Sequence, residues 1–178
     1  MLALCFLAVS SLRKMPTIMV SGAQYGEIEL NIGCGSPSVT HHQKYVEIKL
    51  DGFYTSGEPG NPELPCKFLD VLLPPDVNTS SIDIDVQLDE SYEINVTAEV
   101  MPAPPLASDE TVEWGVGKEI RDGKNHLVYG RGEYYPDKGV EVCRVSNRGT
   151  YVFARIRYNP IQYNPLKGRL KIHGNVAF

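Results

Sequence analysis

"YVFARIRYNPIQYNPLKGRLKIH", Tyr151 to His173, decides the fold class. Its first half alternates. Val152, Ala154, Ile156 and Tyr158 fall on one side, with Phe153, Arg155 and Arg157 on the other. Period-two alternation marks a strand with one wet face, which belongs to an antiparallel sheet. Pro160 cannot donate to a ladder, so the first Tyr-Asn-Pro closes this strand, and proline biases Asn159 towards extended backbone. Ile161, Gln162 and Tyr163 then continue as a short bulged edge. The second Tyr-Asn-Pro opens a turn from Asn164 to Gly168, in which Pro165 presets φ and Gly168 takes the positive value. From Arg169 the chain returns as the partner strand to Phe178. His173 alternates with Ile172 there and is expected on the wet face.

The same alternation recurs upstream. "YVEIKLDGFYT" (Tyr45 to Thr55) sets Val46, Ile48 and Leu50 against Glu47 and Lys49. "SIDIDVQL" (Ser81 to Leu88) sets Ile82, Ile84, Val86 and Leu88 against Asp83 and Asp85, and "YEINVTAEV" (Tyr92 to Val100) sets Ile94 and Val96 on one face. Turn clusters separate them: "SGEPGNPELP", "LLPPDVNTSS", the extended "MPAPPLASDE", and a long loop-rich region from Glu119 to Glu141. Thirteen prolines, sixteen glycines and ten tyrosines in 178 residues fit short strands and many turns. No apolar pattern of helical period persists beyond about two turns after residue 25. The expected fold is all-β: one antiparallel β-sandwich, lectin-like or jelly-roll-like, with few or no helices beyond an N-terminal segment.

That segment, Leu2 to Leu12, is apolar and too short to span a bilayer. Val20-Ser21-Gly22-Ala23 offers small residues for a signal peptidase, although Arg13 and Lys14 follow the apolar run instead of preceding it. The chain is therefore divided into a leader, 1–23, and one domain, 24–178. Its expected location is secreted, cell-surface or periplasmic, with no membrane association apart from the export signal. The formal net charge is −5 with scattered basic residues, which excludes nucleic acid as the main partner. Beyond Cys5, three cysteines remain: Cys34, Cys66 and Cys143. An odd number without CxxC spacing is unlike a zinc site, and leaves open one disulfide plus a thiol, or three unpaired thiols. Asn78 and Asn95 head sequons, which matter in a host that glycosylates them.

Catalysis finds no footing in the residues. His41, His42, His126 and His173 are tied to no cysteine by spacing, and His41 and His42 fall on opposite faces of a strand start. Asp83 and Asp85 share a face, but no calcium-loop run follows them. There is no phosphate-cradling glycine loop and no GxSxG, so neither a metal nor a cofactor is expected.

Three segments resemble the pro-domains of gingipain-type cysteine peptidases, in that family's order. "GEPGNPELPCKFLDVLLPP" (Gly57 to Pro75) resembles their Gly-x-Pro-x-Leu-Pro segment and following apolar strand, through Gly60, Pro62, Leu64 and Pro65. "LVYGRGEYYPDKGVEV" (Leu127 to Val142) is similar to their tyrosine-rich stretch ending in an aromatic-Pro pair, Tyr135 and Pro136. Arg148 to Phe178 resembles their closing hairpin, whose core Pro-x-Gln-Tyr-Asn-Pro is Pro160, Gln162, Tyr163, Asn164 and Pro165. The resemblance rests on Pro160 to Pro165, which leaves the first Tyr-Asn-Pro looking incidental. It implies a β-sandwich pro-domain that helps a secreted peptidase fold and keeps it latent, with the peptidase catalytic domain as partner in cis or in trans. The catalytic histidine and cysteine would belong to that domain, so no catalytic residue is carried over to this chain. The resemblance also implies a basic side chain presented to a pocket that takes basic residues. The matching region, "GVGKEIRDGKNH", carries Lys118, Arg121 and Lys124; spacing back from Tyr129-Gly130 favours Lys118, then Arg121. The alternative is a stand-alone module binding carbohydrate or a cell surface, with Tyr129, Tyr134 and Tyr135 exposed on one loop to stack on sugars.

Overall fold

The structure, a computed structural model, describes residues 18–21, 27–74, 87–88, 91–107, 112–114 and 117–177. In chain order the strands begin with β1 (Ile18–Ser21), β2 (Glu27–Gly33), β3 (Ser38–His41), β4 (Tyr45–Lys49), β5 (Tyr54–Ser56) and β6 (Leu64–Leu73). Short strands follow: β7 (Gln87–Leu88), β8 (Ser91–Asn95), β9 (Glu99–Val100), β10 (Leu106–Ala107), β11 (Val112–Glu113), β12 (Ile120–Arg121) and β13 (Lys124–Asn125). A one-turn helix, α1 (His126–Tyr129), precedes β14 (Val140–Arg148), β15 (Tyr151–Tyr158), β16 (Ile161–Asn164), β17 (Arg169–His173) and β18 (Asn175–Ala177). The all-β expectation holds. Among the described residues these strands divide into six hydrogen-bonded sheets.

The opening stretch behaves largely as its residues require. Val152, Ala154, Ile156 and Tyr158 are buried along β15, which lies between β14 and β6. Asn164 and Pro165 open the turn: Asn164 Oδ1 accepts from Lys167 N at 3.0 Å, and Gly168 takes φ +57°. β16 pairs with β17 without the expected bulge, from Ile161↔Ile172 to Asn164↔Arg169. The first Tyr-Asn-Pro is not incidental. It is the corner at which the chain leaves the β14-β15-β6-β5 sheet and enters the β16-β17-β8 sheet. Tyr158 and Asn159 are buried there, and Pro160 O accepts from His173 N at 2.9 Å.

This corner folds over the end of β17, which is why His173 is not on a wet face. It is 1 % exposed, and its Nε2 lies 3.0 Å from Gln162 Oε1. "YEINVTAEV" is likewise not one strand. Gly168 O captures Val96 N at 2.8 Å where the β17 ladder ends, and after a break Glu99 and Val100 form β9. β9 runs parallel to β4, a departure from all-antiparallel pairing that the long connection between them permits.

Among the described residues, two apolar clusters make the core. One draws Val46 and Ile48 of β4, Leu64, Val100, Tyr129, and Ile161, Tyr163, Leu170 and Ile172 of β16 and β17. The other joins Ile32 of β2 to Val140, Ile156 and Tyr158, with Phe53, Leu69 and Val71 against them. Each fully buried side chain of this size contributes about 1.5–3 kcal/mol through removal from water. Cys34, Cys66 and Cys143 are free thiols. Cys34 Sγ lies 3.1 Å from the Tyr158 hydroxyl, and burial raises the pKa of both, so both stay protonated at neutral pH. Most of 1–23 lies outside the described residues, as do Asn78, Asp83 and Asp85. Within that stretch Ile18–Ser21 pair with Glu27–Leu30. Asn95 is exposed at the end of β8.

Candidate functional site

"IRDGKN" forms a tight β-hairpin, where composition alone suggested loop. Asp122 (φ +51°) and Gly123 (φ +75°) both take left-handed backbone, as a two-residue turn matched to strand twist requires. Ile120 pairs with Asn125 and Arg121 with Lys124. The Asp-Gly dipeptide was the available signal for this turn.

The hairpin's base is tied to the Gly-x-Pro-x-Leu-Pro segment. Asn125 N donates to Gly60 O at 2.8 Å, and Asn125 Nδ2 donates to Asn61 Oδ1 at 2.8 Å. Asn125 Oδ1 also accepts from Leu127 N, capping α1. Gly60 has φ +81°, and a Cβ there would lie 2.7 Å from Ile120 Cδ1 and 3.3 Å from Asn125 N. The left-handed backbone, with Asn125 N close by, is what demands glycine. Asn61 and Asn125 were not singled out by any motif, because only the fold joins them.

The three candidate cations sit differently. Lys118 Nζ donates to Pro59 O at 2.8 Å, lies 3.3 Å from Glu58 Oε2, and its side chain is only 11 % exposed. Lys124 Nζ donates to Glu99 Oε2 at 2.7 Å and lies over the Tyr129 ring. Both ammonium groups hold the hairpin to the body. Arg121 is exposed beside the turn and, among the described residues, its side chain makes no hydrogen bond or ion pair. Among the described residues the hairpin therefore presents one uncommitted cation on a pinned base.

The tyrosine-rich stretch is a buttress. Tyr129 is 7 % exposed, and its hydroxyl donates to Val100 O at 2.7 Å. Tyr135 exchanges two backbone hydrogen bonds with Tyr163, and its hydroxyl accepts from Asn61 Nδ2. Tyr134 donates to Glu93 Oε1 at 2.6 Å, and partial burial together with that carboxylate pushes its pKa up to about 12. The expectation that all three tyrosines are exposed for stacking is corrected: Tyr129 is core, and the hydroxyls of the other two are engaged.

The Pro-x-Gln-Tyr-Asn-Pro core clamps the same stretch. Gln162 Nε2 donates to Pro136 O at 2.6 Å, and Asn164 Nδ2 donates to Gly132 O at 2.6 Å. Asn159 Nδ2 donates to Lys138 O at 3.0 Å. Three buried amides thus satisfy three loop carbonyls between residues 132 and 138, and Tyr135-Pro136 between them is cis. Pro62 bridges to Pro102, and Leu64 and Pro65 begin β6. The motif residues hold up the hairpin and the loop beside it, and most of them are buried.

No family profile matches the chain, and neither does any curated protein sequence. Solved structures do match. One chain comes from a structure described as the complex of Porphyromonas gingivalis RgpB pro- and mature domains. It has a TM-score of 0.62 and 14 % identity over 90 % of this chain and 83 % of that one. Another comes from a structure on the zymogenic latency of gingipain K from Porphyromonas gingivalis. It has a TM-score of 0.59 and 14 % identity over 92 % of this chain and 97 % of that one. At this identity the likeness establishes a shared fold.

Proposed function

We propose that this chain is the pro-domain of a secreted gingipain-like cysteine peptidase, assisting its folding and holding it latent by offering Arg121 to its substrate pocket. The chain itself has no catalytic role. The observation that carries this reading is the pinned hairpin with its single uncommitted guanidinium, on a fold shared with chains from gingipain pro-domain and zymogen structures. A cation that fills a buried acidic pocket forms a charge-assisted pair, and such pairs dominate interfaces. Lys118 and Lys124 support the presentation instead of competing for it, because each already holds a carboxylate.

The test is titration of the full chain against a gingipain-like catalytic domain cleaving a substrate with a basic residue at the scissile bond. Inhibition is expected. Arg121→Ala should weaken it about 30-fold or more, the loss expected of an interface hot spot. Absence of both inhibition and complex at about micromolar concentrations, well above the range of specific complexes, would overturn the reading. Equal inhibition by the Arg121→Ala chain would remove Arg121 from it.

A further inference from the structure

The outer face of the β14-β15-β6-β5 sheet carries a second feature. The register across β14, β15 and β6 places Arg144, Arg155 and Asp70 in one row and Ser146, Phe153 and Leu72 in the next. Arg148 stands opposite Tyr151 in a third row. From these rows Asp70, Arg144, Ser146, Arg148, Phe153 and Arg155, with Asn147 at the β14 edge, line an open cavity of about 250 Å³. Arg155 grips Asp70 with two bonds of 2.7 Å, from Nε and Nη2. Arg144 and Arg148 form no ion pair among the described residues. Three guanidinium groups therefore face one carboxylate, in a chain whose formal net charge is −5.

The lining specifies its ligand. Two unpaired guanidinium groups suit a carboxylate, which they can bind in fork geometry. Asp70 repels anions that bring nothing else, but its remaining lone pairs accept from hydroxyl groups. Ser146 and Asn147 both donate and accept. Phe153 offers an apolar surface to a ring. The volume is below the roughly 300 Å³ at which drug-sized pockets begin, and accommodates one small ring. We propose that this groove binds a carboxylated sugar, one uronate residue of an acidic polysaccharide. Arg144 and Arg148 take the carboxylate, and Asp70, Ser146 and Asn147 take the hydroxyls. An acidic peptide supplies the carboxylate without the hydroxyl donors, and meets Asp70 as a like charge.

The test uses the ¹⁵N-labelled full chain, titrated with tetragalacturonate, with the neutral tetrasaccharide maltotetraose, and with tetraglutamate, while the arginine Nε–H signals are followed. Saturable shifts of Arg144 and Arg148 with tetragalacturonate are expected, weakening as salt rises. Arg144→Gln or Arg148→Gln should weaken binding about tenfold, the loss of one charge-assisted contact. The variants' dispersed amide spectra establish that they fold. Asp70→Asn should weaken tetragalacturonate and strengthen tetraglutamate. Absence of a saturable shift overturns the proposal. So does tetraglutamate or maltotetraose binding as tightly as the uronate, and so does an Asp70→Asn chain that binds the uronate unchanged.

Discussion

His173 shows how one buried ring links packing to pH. Gln162 donates its Nε2 to Pro136 O, which leaves Oε1 to accept from His173 Nε2–H. The ring's Nδ1 is buried and, among the described residues, has no partner. A proton added there would have no acceptor, and burial, helped by the Lys171 charge, lowers the His173 pKa below its ordinary value. The unfolded chain, titrating near 6.5, then takes up this proton before the folded one does. Stability from this residue is complete at neutral pH and declines as pH falls below about 6.5. Thermal midpoints should drop between pH about 6.5 and 5, above the ordinary range of the carboxylates. The drop should be smaller for a His173→Gln chain whatever its starting midpoint; equal slopes would assign the acid response elsewhere. Gly60 is the second residue of this kind. Its φ of +81° and the contacts awaiting a Cβ predict that Gly60→Ala costs about 1–3 kcal/mol, seen as a lower urea midpoint at unchanged slope.

At the scale of elements, the hairpin β12–β13 is stable only because of what holds its base, since an isolated two-stranded hairpin is marginal in water. Asn125 supplies the bond to Asn61 and the cap of α1 at once. Asn125→Ala should therefore cost about 1–3 kcal/mol, and should speed amide exchange across Ile120–Tyr129 more than in β15. Uniform acceleration would mean that the hairpin does not open as a unit. Lys118→Ala and Arg121→Ala should separate in the same way. The first lowers the thermal midpoint by breaking a largely buried contact; the second leaves it within about 0.5 kcal/mol of the parent, as exposed changes do. β15 and β16 were legible in the alternation and the two prolines, because period two and a missing N–H are local facts. β12 and β13 were signalled only by Asp-Gly. The division of "YEINVTAEV" into β8 and β9 had no local signal, because a carbonyl 72 residues downstream, Gly168 O, ends the pairing at Val96.

For the whole molecule, the cysteines give a clear expectation. Cys34, Cys66 and Cys143 are free, and Cys66 is 0 % exposed while Cys143 is exposed. Unfolding in urea should have the same midpoint with and without reductant, and of these three a thiol reagent should label Cys143 first in the native chain. A midpoint that falls on reduction would mean that a disulfide is present. The sequence by itself determined the all-β class, the strand end and the turn in the doubled Tyr-Asn-Pro, and which residues of β4 and β15 face inward. These follow from alternation, from proline's missing donor and from glycine's freedom, all properties of residues close together in the chain. Only the tertiary structure decided that Lys118 and Lys124 are bound while Arg121 is not. It also decided that His173 is buried, and that Arg144, Arg148 and Asp70 share a groove. Lys118 and Lys124 depend on Pro59 and Glu99, 59 and 25 residues away. His173 depends on the corner that folds back over it at Pro160 and Gln162. The groove depends on register across three strands. Chain spacing carries no information about contacts that only the fold brings together.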